Sequence, residues 1–308
     1  MTCGRSFPCV LLVAALAVSA SIPAKAQTQQ PRGGRLTQPV YRVAEQPSEP
    51  ARVAKNTVPA KTEIESPAVG HPQQHPLEPA VQMAKNAMIA IGNNVQDYSC
   101  TLIKRERIGG KLNEREYMYL KVRHEPFSVY MYFLGPNRLR GQEVIYVDGQ
   151  NNGNLLGHGV GIRKIAGTVP LQPTGALAMQ GQRYPITEIG MKNLITRLLE
   201  VAEHDKQFGE CEVKFFRNAK ITMGKETRTV TCIQVVHPIP RKNFRFHLAR
   251  VYVDDELNLP VRYESYDWPR KPGGAPELLE EYTYTDIKMN NGFTDYDFNI
   301  ENPQYNFR

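Results

Sequence analysis

The stretch that most constrains the fold is Lys121 to Asp148, KVRHEPFSVYMYFLGPNRLRGQEVIYVD. Phe127, Val129, Met131 and Phe133 alternate with Ser128, Tyr130, Tyr132 and Leu134, the period of two that a strand with two unlike faces requires. Pro126 and the Gly135-Pro136-Asn137 cluster bracket this run, because proline and glycine stop a ladder and start a turn. Tyr117 to Val122 before it and Glu143 to Val147 after it are also β-rich, and Asp148-Gly149 is a strong turn signal. Three consecutive antiparallel strands follow from this pattern. Both faces of the middle strand are apolar enough to need a cover.

Arg5, the apolar run Val10 to Ala20 and the small residues Ala24-Lys25-Ala26 read as a cleaved secretory signal over residues 1–26. The apolar run is about half of the ~20 residues needed to span a bilayer. Residues 27–76 are rich in Pro, Gln and Ala and poor in aromatic side chains, so they bury too little apolar area to offset ordering entropy and are expected to form a disordered tether. A single β-rich domain is expected over 77–308. The whole chain carries a net charge of +7, part of it in the signal and tether. The mild basicity left on an exported domain excludes the concentrated stripe of a nucleic-acid binder.

From Leu77 onward Ala80, Ala84, Ala87, Met88 and Ile91 recur at helical spacing, with Pro79 in the first turn and Gly92 just past the expected end. Tyr98 to Arg107 alternates as a strand, and Gly109-Gly110 turns it into the next. Asn151 to Gly181 is dense in Gly, Asn and Pro and is expected to be an irregular excursion, with one strand-like interval at Gly161 to Ile165. Thr187 to Glu203 returns to helical spacing with Thr187 as its cap. Further strands are expected at Glu212 to Ile221, Thr227 to Val236, Ala249 to Val253, Leu259 to Tyr266 and Leu278 to Lys288. The expected class is therefore α+β: a curved antiparallel sheet of about ten strands, an open half-barrel, with two main covering helices.

Five segments together carry a family resemblance: YSCTLIKRERIGGKL, KVRHEPFSVYM, GQEVIYVDGQNNGNL, VHPIPRKNFRFHLARVYVDDELNLPVRYESYDWP and EEYTYTDIKMNNGFTDYDFN. In this order they resemble the bacterial family called domain of unknown function 1571, over roughly residues 79–307. That family has no established activity, so the resemblance implies no catalytic residues. A weaker likeness, an opening helix followed by a long meander and a Leu-Pro before the final strands, is to the Lol lipoprotein carriers. It implies a lipoprotein-carrier-like half-barrel closed by helices, and function does not follow from fold alone.

The candidate chemistry is sparse. His124, His158, His204, His237 and His247 have no metal-ligand spacing. No Gly-x-Ser-x-Gly elbow is present, and Gly157 to Gly161 lacks the Lys-Ser/Thr that ends a phosphate loop. Neither a cofactor nor a catalytic residue is expected. Phe127, Val129, Met131 and Phe133, sharing one strand face, are expected to line an apolar ligand site together with Trp268. Arg241, Lys242 and Arg245 lie among aromatics after Pro238 and Pro240, where they are expected to meet an anionic surface in peripheral contact without a transmembrane segment.

Cys100, Cys211 and Cys232 lie in the expected domain. With Met223 to Glu226 as the turn, Cys232 falls opposite Arg217 and Cys211 opposite Pro238, too far apart for a disulfide. The expected role is non-catalytic: binding a lipid or lipoprotein acyl chain on the concave sheet face. The alternative is a scaffold for a protein or an anionic wall polymer.

Overall fold

The computed structural model describes residues 64–65, 74–224 and 226–307; the expected signal and nearly all of the expected tether lie outside these. One antiparallel sheet of 13 strands organises the described residues. Its strands are β1 (Ile64–Glu65), β2 (Asp97–Ile108), β3 (Lys111–Leu112), β4 (Glu116–Arg123), β5 (Ser128–Gly135), β6 (Glu143–Val147), β7 (Leu155–His158), β8 (Thr168–Leu171), β9 (Glu212–Met223), β10 (Glu226–Val236), β11 (Leu248–Asp254), β12 (Pro260–Asp267) and β13 (Glu277–Met289). Their order is β1-β9-β10-β11-β12-β13-β2-β4-β5-β6-β7-β8, with β3 paired to β2 alone. The two ends do not pair, so the sheet is open. The α+β class, the antiparallel meander and the two helices are as expected from sequence.

Helix α1 (Glu78–Asn94) has Glu78 and Pro79 in its first turn and buries Val81, Ala87 and Ile91. It runs through Gly92, which was expected just past its end, because the backbone N–H of Val95 still bonds the Ile91 carbonyl at 3.1 Å. Helix α2 (Met191–Asp205) starts later than expected. Thr187 falls in a separate 3₁₀ turn, Ile186–Glu188, and the cap position belongs to Gly190 at φ 106°. A Cβ on Gly190 would stand 2.8 Å from the Tyr98 hydroxyl, which accepts the Met191 N–H at 2.9 Å. Tyr98 of β2 thus fixes where α2 begins.

Two sequence expectations are corrected by the region after β6. Residues 161–165 lie in a 3₁₀ turn, Gly161–Ala166, rather than a strand. The flanking segments instead form β7 and β8, which lengthen the sheet beyond the ten strands expected. Pro170 sits in β8, an edge strand where a missing N–H donor is tolerated.

The two apolar faces of β5 have different covers. Met131 and Phe133 pack with Leu102, Met118, Leu120 and residues of α1 and α2. Tyr130 faces the other way and packs with Ile145, Val147, Phe298, Tyr305 and Phe307. The C-terminal segment 293–307 is therefore a strap over the side opposite the helices. Tyr305 stacks on Tyr130 with centroids 3.9 Å apart, and Lys121 Nζ bonds Asp297 Oδ1 at 2.7 Å.

Candidate functional site

Cross-strand register lays the helix-facing side of the sheet out in rows. One row reads Phe215, Ile233, Val251, Tyr263, Tyr282, Lys104 and Glu116 across seven neighbouring strands. Beside it runs Val213, Val235, Ala249, Ser265, Glu280 and Glu106. On the other side Tyr284, Leu102, Met118 and Phe133 form an apolar row. The helices stand off this surface and leave a cavity of about 1520 Å³ between themselves and the sheet. Ligand pockets commonly hold ~300–1,000 Å³, so this one exceeds the usual range for a small metabolite.

Aliphatic side chains make up the greater part of the wall. Ala80, Met83, Ala84 and Ala87 of α1 and Leu194, Leu198, Val201 and Ala202 of α2 form the roof, while Ile233, Val235, Val251 and Val253 line one half of the floor. Tyr263, Tyr282 and Tyr284 cross its middle. Burial pushes the Tyr263 and Tyr282 hydroxyls well above the ordinary tyrosine pKa, with Glu280 adding to the effect in both. Segment 173–190 closes one end, where Arg183 Nε lies 3.0 Å from Glu280 Oε2. Burial works most strongly against the Arg183 charge, but Glu280 together with Tyr184 and Tyr282 outweighs it and the guanidinium pKa is raised.

The structure distributes the residues expected to bind ligand. Met131, Phe133 and Arg245 line the cavity. Val129 lies two rows deeper, paired with Val122 opposite Tyr98, where the N-terminus of α2 fills the space. Phe127 lies against Tyr146 beside a separate, smaller cleft. Trp268 donates its indole N–H to the His237 carbonyl at 3.1 Å and is not on the cavity wall. Arg241 is ion-paired with Glu210, and Lys242 is exposed in the same loop.

The histidines are used for packing and hydrogen bonding. His237 stacks on Phe244 at 3.9 Å and its Nε2 is 3.4 Å from buried Asp205 Oδ2; His124 Nδ1 is 2.8 Å from the Val95 carbonyl. Burial lowers the pKa of both.

Two features escaped the reading of the sequence: the helix-borne roof, and the polar group of Lys104, Glu106, Glu116 and Glu280 at one end of the floor. A signal for the latter exists in β2, where Lys104 and Glu106 share the parity of Tyr98, Cys100 and Leu102, a charged continuation of an otherwise apolar face.

A family model described as protein of unknown function, DUF1571, matches residues 95–307. The chain belongs to the DUF1571 family. A search of curated proteins found no match. Among solved structures, this DUF1571 chain is similar to an uncharacterized conserved protein from Thermus thermophilus at TM-score 0.39 and 10% identity, covering 71% of this chain and 92% of that one. It is similar to the lipoprotein LppX of Mycobacterium tuberculosis at 0.38 and 12%, covering 70% and 98%. A LolA superfamily protein from Nitrosomonas europaea aligns at 0.30 and 10%, covering 70% and 97%.

Proposed function

We infer that this DUF1571 protein is an exported, non-catalytic carrier that holds an apolar or amphipathic ligand, a lipid or lipoprotein acyl chain, between its two helices and its sheet. The observation that carries this reading is the cavity of about 1520 Å³ with its aliphatic roof and floor. Open apolar volume on this scale forgoes the packing that holds interiors together. A bound chain restores it and stabilises the fold by linkage.

Export follows from the secretory reading of residues 1–26. The tether expected over 27–76 then gives the carrier domain, expected from 77, reach within the envelope, although Ile64–Glu65 within it already pairs with Phe216 and Phe215 of β9. Among the described residues no helix is long and apolar enough to cross a membrane.

Mass spectrometry of small molecules retained by natively purified protein tests the reading. The expected result is a co-purifying lipid, together with a rise in the unfolding midpoint when delipidated protein is given long-chain lipid. An unchanged midpoint across a broad lipid panel, with nothing retained, overturns it.

A further inference from the structure

The floor of the cavity is polar at one end only. Register places Glu280 beside Glu106, and Tyr282 beside Lys104 beside Glu116. Lys104, Glu106, Glu116 and Glu280 are only 7%, 4%, 6% and 4% exposed, and all four line the cavity. Burying ionised groups is costly unless each is paired and hydrogen-bonded, so the partners of each oxygen matter.

Glu280 is well satisfied. Ser265 and Tyr184 donate to its Oε1 at 3.0 and 3.4 Å and Arg183 reaches its Oε2 at 3.0 Å, with the Tyr282 oxygen 3.2 Å from Oε2 but its one proton directed at Glu106. Glu106 is satisfied too, by Tyr282 on Oε1 at 2.6 Å and by Lys104 Nζ and the Arg183 backbone N–H on Oε2 at 3.2 and 3.1 Å. Glu116 is not. Its Oε1 is 3.5 Å from Arg138, whose shorter contact, 2.7 Å, is to exposed Glu114. Its Oε2 is 3.4 Å from Lys104 Nζ, is buried and receives no hydrogen bond.

Among the buried groups here three carboxylates face two cations, Lys104 and the half-buried Arg183; of the exposed cations on this part of the wall, Arg138 is matched by Glu114 and Lys111 sits at the rim. This buried set is short of one positive charge, beside the one of its carboxylate oxygens that lacks a donor. We propose that this end of the cavity seats the head of an amphiphile bearing a primary ammonium, with Glu116 as its acceptor and the alkyl chain lying along the apolar rows beyond. The proposal rests on the lipid reading of the cavity and names the head group that reading leaves open. An ammonium supplies both the missing donor and the missing positive charge. A hydroxyl head supplies only the donor, and a carboxylate or phosphate head adds repulsion from three buried carboxylates.

Calorimetric titration of the delipidated protein with decylammonium, decanol and decanoate, each below its micelle concentration, tests the head at constant chain length. Ethylammonium serves as the chainless control. Decylammonium is expected to bind at least tenfold tighter than decanoate and several-fold tighter than decanol, with no measurable ethylammonium binding. Glu116→Gln, isosteric and uncharged, is expected to bring decylammonium down toward decanol.

Decanoate binding as tightly as decylammonium overturns the head-group assignment while leaving the lipid reading intact, as does a Glu116→Gln protein that keeps the full ammonium preference. Ethylammonium binding as tightly as decylammonium reduces the seat to a free-amine site and overturns it as well. If none of the three chains binds, the lipid reading falls with it. Should Glu116→Gln fail to fold, the three affinities of the unaltered protein decide alone.

Discussion

Asn306 holds buried Glu143 through two hydrogen bonds, its backbone N–H to Oε2 at 2.8 Å and its side-chain Nδ2 to Oε1 at 3.1 Å. This clamp fastens the C-terminal strap to β6. Asn306→Ala keeps the backbone bond but removes the side-chain donor from a buried carboxylate, and is expected to destabilise the fold by ~1.5–3 kcal/mol, the contribution of a hydrogen bond to a charged group. Denaturant titration checks this, and an unchanged midpoint means the strap is not part of the cooperative unit.

The same carboxyl supports a prediction of opposite sign. Burial raises the Glu143 pKa, with the Asn306 donors working against it. A carboxyl raised in the folded state contributes stability at pH below its unfolded value, and loses that contribution as pH rises through the folded value. At neutral pH its charge is therefore a cost. Glu143→Gln is expected to be neutral or stabilising at pH 7.5, and a loss above ~2 kcal/mol, the scale of a lost charged hydrogen bond, counts against this account.

Acid should destabilise the protein through its histidines. Burial lowers the pKa of His237 and of His124 from the ordinary 6.5. Below 6.5 the unfolded chain takes up protons that the folded chain refuses, so stability is full above 6.5 and falls as pH drops toward the folded values. Asp205 at 3.4 Å and the contact of Nδ1 with the Phe246 carbonyl at 3.1 Å oppose this at His237, while the nearby His247 adds to it. The melting temperature is expected to decline between pH 7 and pH 5, and a rise over that interval refutes the assignment.

Gly190 is the most sequence-sensitive backbone position in the fold. Its φ of 106° is foreign to side-chain-bearing residues, and any Cβ would meet the Tyr98 hydroxyl at 2.8 Å. Gly190→Ala is expected to cost at least ~2 kcal/mol by strain and loss of the Tyr98 contact to Met191. Faster amide exchange in the first turn of α2 would mark the cause; stability equal to the parent would show that this junction yields.

The thiols of Cys100, Cys211 and Cys232 are free. Burial, assisted by Asp205, pushes the Cys211 thiol up to about 11, and burial holds Cys232 up at about 12. All three should react with a thiol reagent at pH 7.5 only slowly until denaturant is added. Non-reducing peptide mapping should find no Cys211–Cys232 link, because Cys232 pairs with Phe216, five residues and ~17 Å of strand from Cys211. Rapid labelling of the folded protein would show that these sites open.

Much of this fold is legible because period-two alternation and the Gly/Pro punctuation act locally. The β4-β5-β6 meander and the β9-β10 turn at Met223 and Glu226 follow from residues within a few positions of one another. The bulge between Val230 and Cys232, which moves Cys232 from Arg217 to Phe216, does not, since an extra residue in a ladder leaves no mark in an alternating pattern. Gly161 to Ile165 misleads because five residues are too few to separate a strand from a tight turn.

At the site, Met131 and Phe133 are legible as one apolar face, but whether a helix fills the space above them or stands away from it depends on α1 and α2, which meet the sheet from far along the chain. The strap is hidden for a related reason: Phe298, Tyr305 and Phe307 are scattered among polar residues and become a surface only when wrapped over Tyr130 and Ile145.

The cavity roof sets a length scale. Along α2 the lining residues run from Asn193 to Asp205, twelve steps of ~1.5 Å or about 18 Å. The hydrocarbon thickness of one bilayer leaflet is half of ~30 Å, about 15 Å. On the carrier reading, a chain long enough to cross its own leaflet would lie at full extension under one helix, which makes the roof a gauge cut to the membrane's own dimension.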